Sequence, residues 1–328
     1  MSSLRSTAYP LDGEIIDIGG SLIDLTFVND QLPKAFSGQG DFPKEVAYTT
    51  GMEKWNAFAV KSYQTKDEMA IIKATADKVV QGLKSGTHII DLGAANSRKF
   101  MPYVRAFINQ GKECVYVALD LSHPSLVEHL AMAKAAFPDV KCIGLWGSFQ
   151  QGDVYFKQTR PTARLFLSLG SIFFNAPDEM AKDRCVEFKG HLTADDRLIV
   201  GQDSPGADAT TIHAAYLTKE YDEFFTNYLQ ALQDHAGIKG VNPLTDWNVR
   251  SRLNKAMHYF DVTAKKSMYC RKFRINVPAG TVYQMFKSWK RAEAEIHELT
   301  ISAGLGIETL GKAPTSGMRQ YLIKASEK

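Results

Sequence analysis

The sequence has few cysteines, and their spacing does not suggest a metal centre. Its 328 residues include four, Cys114, Cys142, Cys185 and Cys270, and no two of them form a C-x-x-C pair. The eight histidines are dispersed, and no H-E-x-x-H motif occurs. These absences exclude the common zinc signatures, so we expect no metal at the site. We expect the thiols to be reduced, with Cys114 and Cys142 acting as small apolar side chains in strands.

Long apolar runs and a strong charge of one sign are also missing. No stretch of about 20 uninterrupted apolar residues occurs, and residues 1–5 are not followed by the apolar segment of a signal peptide. The formal net charge is only +3, whereas nucleic-acid-binding proteins usually concentrate basic residues on one face. We therefore expect a cytoplasmic protein that acts on a small molecule, without nucleic acid or membrane as a partner. The sequence leaves the oligomeric state open, a monomer included.

The remaining composition is that of an ordinary globular protein, with 45% hydrophobic and 23% charged residues. The length suits one elaborated α/β core or two smaller domains, and we favour one core with additions. We expect an N-terminal arm with helices that contribute to the substrate pocket, a Rossmann-like core, an inserted lid region, and C-terminal strands and a helix that complete the sheet. These four segments are residues 1–82, 83–205, 206–267 and 268–328.

Strand and helix patterns alternate through the second segment. Short apolar runs predict strands at 87–92, 114–120, 140–145, 164–169 and 196–201. Helical patterns lie between them at 97–110, 123–136 and 177–191. This order is typical of a doubly wound parallel sheet, whose ligands bind beyond the carboxyl ends of the strands.

The rest of the chain is less regular. Residues 11–25 suggest a short edge strand or an extended arm, and residues 28–46 read as a loop. The other predicted elements are helices near 55–59, 69–80, 211–216, 221–235 and 291–303, a loop at 237–248, and strands near 268–277, 307–310 and 320–324. We expect the last two strands to close the sheet as a hairpin.

The loop after the first core strand carries the first functional signal. The apolar run His88-Ile89-Ile90 ends in Asp91, and Gly93 lets the chain turn toward the next helix. A dinucleotide site needs G-x-G-x-x-G, but this loop continues as Ala-Ala-Asn-Ser-Arg and has no second or third glycine. The pattern therefore favours a nucleoside ligand without a diphosphate.

Polar residues also end the later strands. Asp120 ends the second strand, where it can accept hydrogen bonds from both ribose hydroxyls or cap the following helix. Gly147-Ser148-Phe149 ends the third strand, where an adenine ring would fit, although Phe149 suits the core equally well. Asn175 follows the fourth strand, where its amide can hold a substrate amine or carboxylate, or cap the next helix. We interpret Asp203, at the fifth strand end, as structural.

Aromatic residues are concentrated after the fifth strand. They suit the wall of an apolar substrate pocket, although most of them must belong to the core. An insertion at this point is well placed to fold over the cofactor edge. The residues are Tyr216, Tyr221, Phe224, Phe225, Tyr228, Trp247, Tyr259 and Phe260.

Three of the strand ends together resemble the S-adenosylmethionine (SAM)-dependent amino-acid Nα-methyltransferases related to the ergothioneine-pathway histidine methyltransferase: residues 91–99, 118–122 and 169–171. The likeness extends over most of residues 43–325 and includes residues 48–55, 63–68 and 246–248. Within that family, the chain looks most similar to fungal members that methylate dimethylallyltryptophan, and to a tryptophan-specific branch in mushrooms.

The resemblance implies a class I SAM-dependent methyltransferase fold, with SAM as cofactor and S-adenosylhomocysteine as product. It assigns the cofactor to Gly93, Lys99, Asp120, Leu121, Gly147, Ser148, Phe149 and Gly170. It assigns the substrate to Tyr48, Asn175, Tyr216, Phe286 and Ser288, and Gly170 also matches a position on the substrate side. Of these, Tyr48 and Asn175 are expected to be catalytic, because they orient the reacting amine.

One position departs from the family pattern. The histidine enzymes grip the imidazole with an acidic residue and a serine near the final hairpin, and this chain has Phe286 and Ser288 there. Losing a buried hydrogen-bond partner costs about 1–3 kcal/mol, which weakens histidine selection roughly ten- to hundredfold. We therefore expect N-methylation of tryptophan or a prenylated tryptophan in fungal secondary metabolism. The alternatives are histidine methylation and a non-catalytic regulatory protein that keeps the fold.

Overall fold

The computed structural model describes residues 10–22, 27–95, 97–158, 163–205 and 209–326. Asn96 of the predicted cofactor loop and residues 23–25 of the predicted arm lie outside these ranges. None of the helices in the described ranges combines the length and the apolar character that a membrane span requires.

An eight-stranded sheet forms the centre of the protein. Its strands, in spatial order, are β1 (Ile15–Asp17), β4 (Lys141–Trp146), β3 (Cys114–Asp120), β2 (Thr87–Leu92), β5 (Arg164–Ser168), β6 (Arg197–Asp203), β13 (Met318–Ala325) and β12 (Leu305–Lys312). The first six strands are parallel, and β13 is antiparallel to both of its neighbours. All five predicted core strands are present within two residues of the expected bounds. The N-terminal edge strand and the C-terminal hairpin are also confirmed.

Helices cover both faces of this sheet, as a parallel sheet requires. The α-helices are α1 (Leu32–Phe36), α2 (Glu45–Lys61), α3 (Tyr63–Gln81), α4 (Met101–Asn109), α5 (His123–Ala136), α6 (Phe149–Gln158), α7 (Asp178–His191), α8 (Ala209–Ala215), α9 (Lys219–Ala236) and α10 (Glu293–Ser302). Apolar side chains of α3, α4 and α5 pack on one face of the sheet, and those of α6, α7 and α10 pack on the other.

The order of the strands explains where a ligand can bind. From β2 the chain proceeds to β3 and β4 on one side, and it then returns to β5 and β6 on the other. The crevice beyond the carboxyl ends of β2 and β5 is therefore the topological switch point at which doubly wound sheets bind ligands. The predicted doubly wound α/β fold is confirmed.

A second, smaller sheet lies beside the central one. Its three antiparallel strands, in order, are β11 (Val282–Trp289), β8 (Met257–Ala264) and β7 (Trp247–Asn254), and a hairpin of β9 (Met268–Cys270) and β10 (Ile275–Val277) follows β8 along the chain. Helices α1, α2 and α9 pack with this sheet around an aromatic core. The small sheet uses strands from both sides of residue 267, the last predicted segment boundary, and the division into four segments stays a prediction.

Two sequence predictions outside the core were wrong. Residues 28–46 are not one loop, because α1 lies within them and α2 begins at Glu45. Residues 247–264 form two strands that the sequence did not indicate to us. In β7 only Trp247 is buried, so the strand has no apolar face to reveal it. In β8 every second residue is buried, and this alternation was a readable signal.

Candidate active site

The Gly93 loop lies at the switch point. Gly93 has a φ of +77°, and its amide donates a 2.9 Å hydrogen bond to the carbonyl of Leu119 in the neighbouring strand. A Cβ atom at Gly93 would lie 2.9 Å from Cδ1 of Ile172 and 3.6 Å from Cζ of Phe149. The positive φ therefore favours glycine, and a side chain here would also displace the terminal methyl of Ile172, as expected of a loop that approaches a ligand closely.

Asp120 braces this loop. Its Oδ2 accepts a 2.7 Å hydrogen bond from the amide of Ala95, and its Oδ1 accepts one of 2.8 Å from the amide of Ser122. Burial raises the pKa of Asp120 to about 6, although the backbone amides oppose the rise. The cap of α5 is Ser122, whose Oγ accepts from the amide of Ser125. The alternative role of Asp120 as a helix cap is therefore wrong.

The N-terminal arm closes over the loop at the end of β4. A Cβ atom at Gly147 would lie 2.6 Å from Cγ1 of Ile18. The amide of Ser148 donates to Oε1 of Gln151 at 2.7 Å, and Nε2 of Gln151 donates to the carbonyl of Gly19 at 3.0 Å. The arm is thus fastened to the segment where the sequence predicts the adenine ring.

Leu121 and Phe149 lie near the predicted position of the adenine ring. Leu121 is half-buried, and its carbonyl accepts a 3.0 Å hydrogen bond from the indole of Trp146. The Trp146 ring packs against His123, with ring centroids 4.7 Å apart. Phe149 begins α6, and its ring faces Gly93, so it borders the Gly93 loop and is only partly buried.

Lys99 is held by a residue that the sequence analysis missed. Its Nζ lies 2.6 Å from Oε2 of Glu68, whose side chain is only 1% exposed. The amide of Gly170 donates to both carboxylate oxygens of Glu68, at 2.9 and 3.0 Å. Glu68 therefore ties α3 to the ends of β2 and β5. Its signal was available, because it closes the stretch 63–68 on which the family resemblance rests.

A buried polar network occupies the end of β6. Oδ2 of Asp203 accepts hydrogen bonds from the hydroxyl of Tyr63 and from Nε2 of Gln64, both at 2.7 Å, and lies 2.9 Å from Nζ of Lys290. Burial alone would lower the pKa of Lys290, but the Tyr216 hydroxyl and the Asp203 carboxylate outweigh it and raise the pKa. Asp203 is structural, as predicted, and its ion pair with Lys290 also links it to the predicted substrate residues.

Tyr216 belongs to the same network. Nζ of Lys290 donates to its hydroxyl at 2.9 Å, and Oγ of Ser288 lies 3.4 Å from the same oxygen. His258 stacks on the Tyr216 ring at a centroid distance of 3.9 Å. Burial lowers the pKa of His258 to about 3, so this imidazole is neutral at pH 7. The tyrosine is therefore fixed both at its ring and at its hydroxyl.

Phe286 lies in an aromatic wall. It occupies a β-bulge of β11 with a φ of +55°, and its side chain is buried. The ring centroids of Tyr48, Phe224 and Tyr228 lie 6.1, 5.6 and 5.5 Å from that of Phe286. Among the described residues, Phe286 thus has aromatic rings around it, and its correspondence to the acidic residue of the histidine enzymes stays a prediction.

Asn175 joins the fourth strand end to β11. Its Oδ1 accepts a 2.9 Å hydrogen bond from the amide of Trp289. Pro177 precedes α7 in the cap position, and no side chain caps that helix, so the alternative role of Asn175 as a helix cap is wrong. Strand β11 therefore connects the predicted substrate residues, because it carries Phe286 and Ser288 and also binds Asn175.

The comparisons with known proteins agree with this geometry. Residues 36–325 match the model of a family described as "Histidine-specific methyltransferase, SAM-dependent". Ergothioneine biosynthesis protein 1 of Neurospora crassa is 32% identical over 154 residues, which are 46% of this chain and 18% of that protein. The 4-dimethylallyltryptophan N-methyltransferase easF of Aspergillus fumigatus is 25% identical over 297 residues, which are 84% of this chain and 86% of that protein.

Among solved structures, the CcbJ methyltransferase of Streptomyces caelestis matches with a TM-score of 0.42 and 15% identity, over 78% of this chain and 96% of that one. The family membership does not depend on this weaker likeness, because the family model spans most of the chain. The predicted resemblance and cofactor are confirmed. The chain belongs to the SAM-dependent histidine-specific methyltransferase family, and its cofactor is S-adenosylmethionine.

Proposed function

We propose that this protein transfers a methyl group from SAM to the α-amino group of an aromatic amino acid, either tryptophan or a prenylated tryptophan, in fungal secondary metabolism. The observation that carries the proposal is Phe286, which lies within 6.1 Å of the Tyr48, Phe224 and Tyr228 rings. An aromatic wall favours an indole over an imidazole, which needs a buried acceptor for its N–H. The name of the Aspergillus fumigatus relative supports this substrate class.

The crevice residues fit SAM in shape and charge. Gly93 turns the loop with a φ of +77°, and Asp120 supplies a buried carboxylate whose Oδ2 bonds the loop at Ala95 and whose Oδ1 bonds Ser122. We assign the cofactor to the crevice residues, namely Gly93, Lys99, Asp120, Leu121, Gly147, Ser148, Phe149 and Gly170. When bound, SAM supplies an electrophilic methyl group on its sulfonium. Lys99 acts through its ion pair with Glu68, which holds the Gly170 backbone in place.

The substrate side orients the amine and excludes water. Burial raises the pKa of Tyr48 well above its ordinary value, so its hydroxyl stays protonated and does not act as a base. Tyr48 and Asn175 instead position the nitrogen, Tyr216 holds the backbone part of the amino acid, and Phe286 and Ser288 lie at its ring. Orientation of this kind can supply about 7–11 kcal/mol of rate enhancement without a strong base. The amine must therefore lose its proton to water before attack.

Histidine is the second candidate substrate. Ser288 keeps the serine of the histidine enzymes, and its Oγ lies 3.4 Å from the hydroxyl of Tyr216. The family model is described as histidine-specific, and the Neurospora crassa relative is named for ergothioneine biosynthesis. Phe286 disfavours histidine as a substrate, because a phenyl ring cannot accept a hydrogen bond from the imidazole N–H as a carboxylate does.

We also propose that the protein acts in the cytoplasm on a free small molecule. All four cysteines are buried and unpaired, as is usual in reducing compartments. The near-balanced charge of +3 supports neither a nucleic acid nor a membrane surface as a partner.

The test is incubation with methyl-labelled SAM and tryptophan, dimethylallyltryptophan or histidine, followed by mass spectrometry of the products. We expect methylated tryptophan or dimethylallyltryptophan at a kcat/KM at least tenfold above that for histidine. Methylation of histidine alone would overturn the substrate assignment. SAM binding by calorimetry without turnover of any of the three would instead favour a non-catalytic protein.

A further inference from the structure

Lys44 lies beside the aromatic wall. Its Nζ lies 5.7 Å from the ring centroid of Phe286 and 5.5 Å from that of Trp289. Among the described residues, this ammonium has no partner in an ion pair or a side-chain hydrogen bond, whereas the backbone carbonyl of Lys44 accepts a hydrogen bond from the amide of Ala47. The neighbouring cations differ, since Lys290 pairs with Asp203 and Lys287 pairs with Asp41.

This position is unfavourable for a charge on its own. Burial lowers the pKa of Lys44 to about 8, and the nearby cations Arg184 and Lys290 add to the decrease. The carboxylates of Glu45 and Asp41 oppose it from a distance, without forming an ion pair with Lys44. The two aromatic faces stabilise the ammonium only in part. At pH 7 the side chain therefore remains mostly charged and would be stabilised further by an anion.

Trp289 connects Lys44 to the predicted substrate residues. Its ring lies beneath the Lys44 ammonium, and its amide donates to Oδ1 of Asn175. The Lys44 ammonium and the amide group of Asn175 thus contact the same residue, one at its ring and the other at its backbone. An α-amino acid brings an anion, its carboxylate, directly next to the amine that is methylated.

We propose that Lys44 binds the α-carboxylate of the substrate and makes the enzyme select amino acids over the corresponding decarboxylated amines and carboxamides. The inference rests on the proposed function, because it takes an amino acid as the methyl acceptor. It assigns Lys44 a specificity role that orients the substrate and leaves the chemistry at the amine unchanged. Lys44→Arg should preserve the role in part, since arginine keeps the charge.

The experiment compares tryptophan with tryptophanamide and tryptamine in the wild type, in Lys44→Met and in Lys44→Arg. Lys54→Met is the control, because Lys54 is an exposed lysine of α2, the helix that directly follows Lys44. Binding is measured by calorimetry in the presence of S-adenosylhomocysteine, and methylation is measured in parallel. If histidine is the better substrate, histidinamide and histamine replace the tryptophan analogues.

We expect Lys44→Met to weaken tryptophan binding roughly ten- to hundredfold, as loss of a charge-assisted hydrogen bond does, and to leave tryptamine and SAM binding unchanged. Equal weakening for tryptophan and tryptamine, or no change for either, would overturn the inference. Because binding and methylation are measured separately, the proposed function and the role of Lys44 can fail independently. If Lys44→Met weakens tryptophan binding but no methylation occurs, only the proposed activity is refuted. If methylation occurs and Lys44→Met leaves the ratio of tryptophan affinity to tryptamine affinity unchanged, only the role of Lys44 is refuted.

Discussion

Nζ of Lys290 lies 2.9 Å from Oδ2 of Asp203, with the two side chains 1% and 0% exposed. Asp203 ends β6 of the central sheet, and Lys290 directly follows β11 of the small sheet. The pair therefore fastens the two sheets to each other at the site. A buried pair contributes little net stability when both partners are present, but removing one partner leaves an uncompensated charge.

Lys290→Met should accordingly lower the free energy of unfolding by about 3–5 kcal/mol, because it leaves the Asp203 carboxylate buried without its cation. The double variant Lys290→Met, Asp203→Asn should recover much of that loss, since the charge is then gone from both sides. Urea unfolding followed by circular dichroism measures both effects. Losses that simply add in the double variant would contradict the coupling.

Asp120→Asn should weaken SAM binding. The carboxylate accepts from the amides of Ala95 and Ser122 at once, and an asparagine must turn its NH₂ group toward one of these donors. We expect the Kd for SAM to rise roughly ten- to hundredfold, as loss of hydrogen bonds to a charged group does. Calorimetry measures the change, and the exposed Asp139→Asn serves as the control. An unchanged Kd would show that the loop holds the cofactor without this carboxylate.

Asp91 makes stability depend on pH. Burial raises its pKa from 3.8 to about 7, against the hydrogen bond that the Tyr116 hydroxyl donates to it at 2.9 Å. The unfolded chain releases this proton near pH 4 and the folded chain near pH 7, so the folded state holds more protons between these values. Its contribution to stability therefore falls as the pH rises from 4 to 7.

Asp91→Asn keeps an acceptor for Tyr116 and removes this dependence. We expect the variant to exceed the wild type in free energy of unfolding at pH 8, by up to about 4 kcal/mol, and to match it near pH 4. Denaturant titrations at the two pH values provide the measurement, with the exposed Asp77→Asn as the control. A variant less stable than the wild type at pH 8 would be inconsistent with a costly buried carboxylate.

The central sheet was predictable because its strands are buried on both faces. In Cys114–Asp120 six of the seven residues are buried, and the six residues before Asp120 read as one continuous apolar run. Strand Trp247–Asn254 buries only its first residue, and its arginines and asparagines give no apolar period. Strand β7 was therefore missed because it has no apolar pattern, whereas β8 was missed although its alternating burial was a readable signal.

The site was predictable where it depends on backbone turns and strand ends, as at Gly93 and Asp120. It was not predictable where distant side chains meet. Lys290 and Asp203 are 87 positions apart, and only the packing of one sheet against the other brings them together. Glu68 belongs to the stretch 63–68 of the family resemblance, but its contacts with Lys99 and Gly170 could not be predicted, because these partners lie in other parts of the chain.

Phe286→Glu should shift substrate preference toward histidine. The new carboxylate would accept the imidazole N–H, while the indole would lose an aromatic neighbour. We expect the ratio of kcat/KM for histidine to that for tryptophan to rise roughly ten- to hundredfold. Phe286→Leu is the matched control, because it removes the ring without adding an acceptor. If both variants change the ratio equally, the ring and not the missing carboxylate governs selection.

Activity should rise from pH 6 to pH 9, because the reacting amine is mostly protonated at neutral pH. Tyr48 cannot remove this proton, because burial raises the pKa of its hydroxyl and keeps it protonated. Burial lowers the pKa of Lys44 to about 8, so substrate binding changes over the same range. Measuring kcat at saturating amino acid separates the two effects. Calorimetry of SAM at each pH checks that the cofactor site is intact. A flat kcat profile between pH 6 and 9 would mean that loss of the amine proton does not limit the reaction.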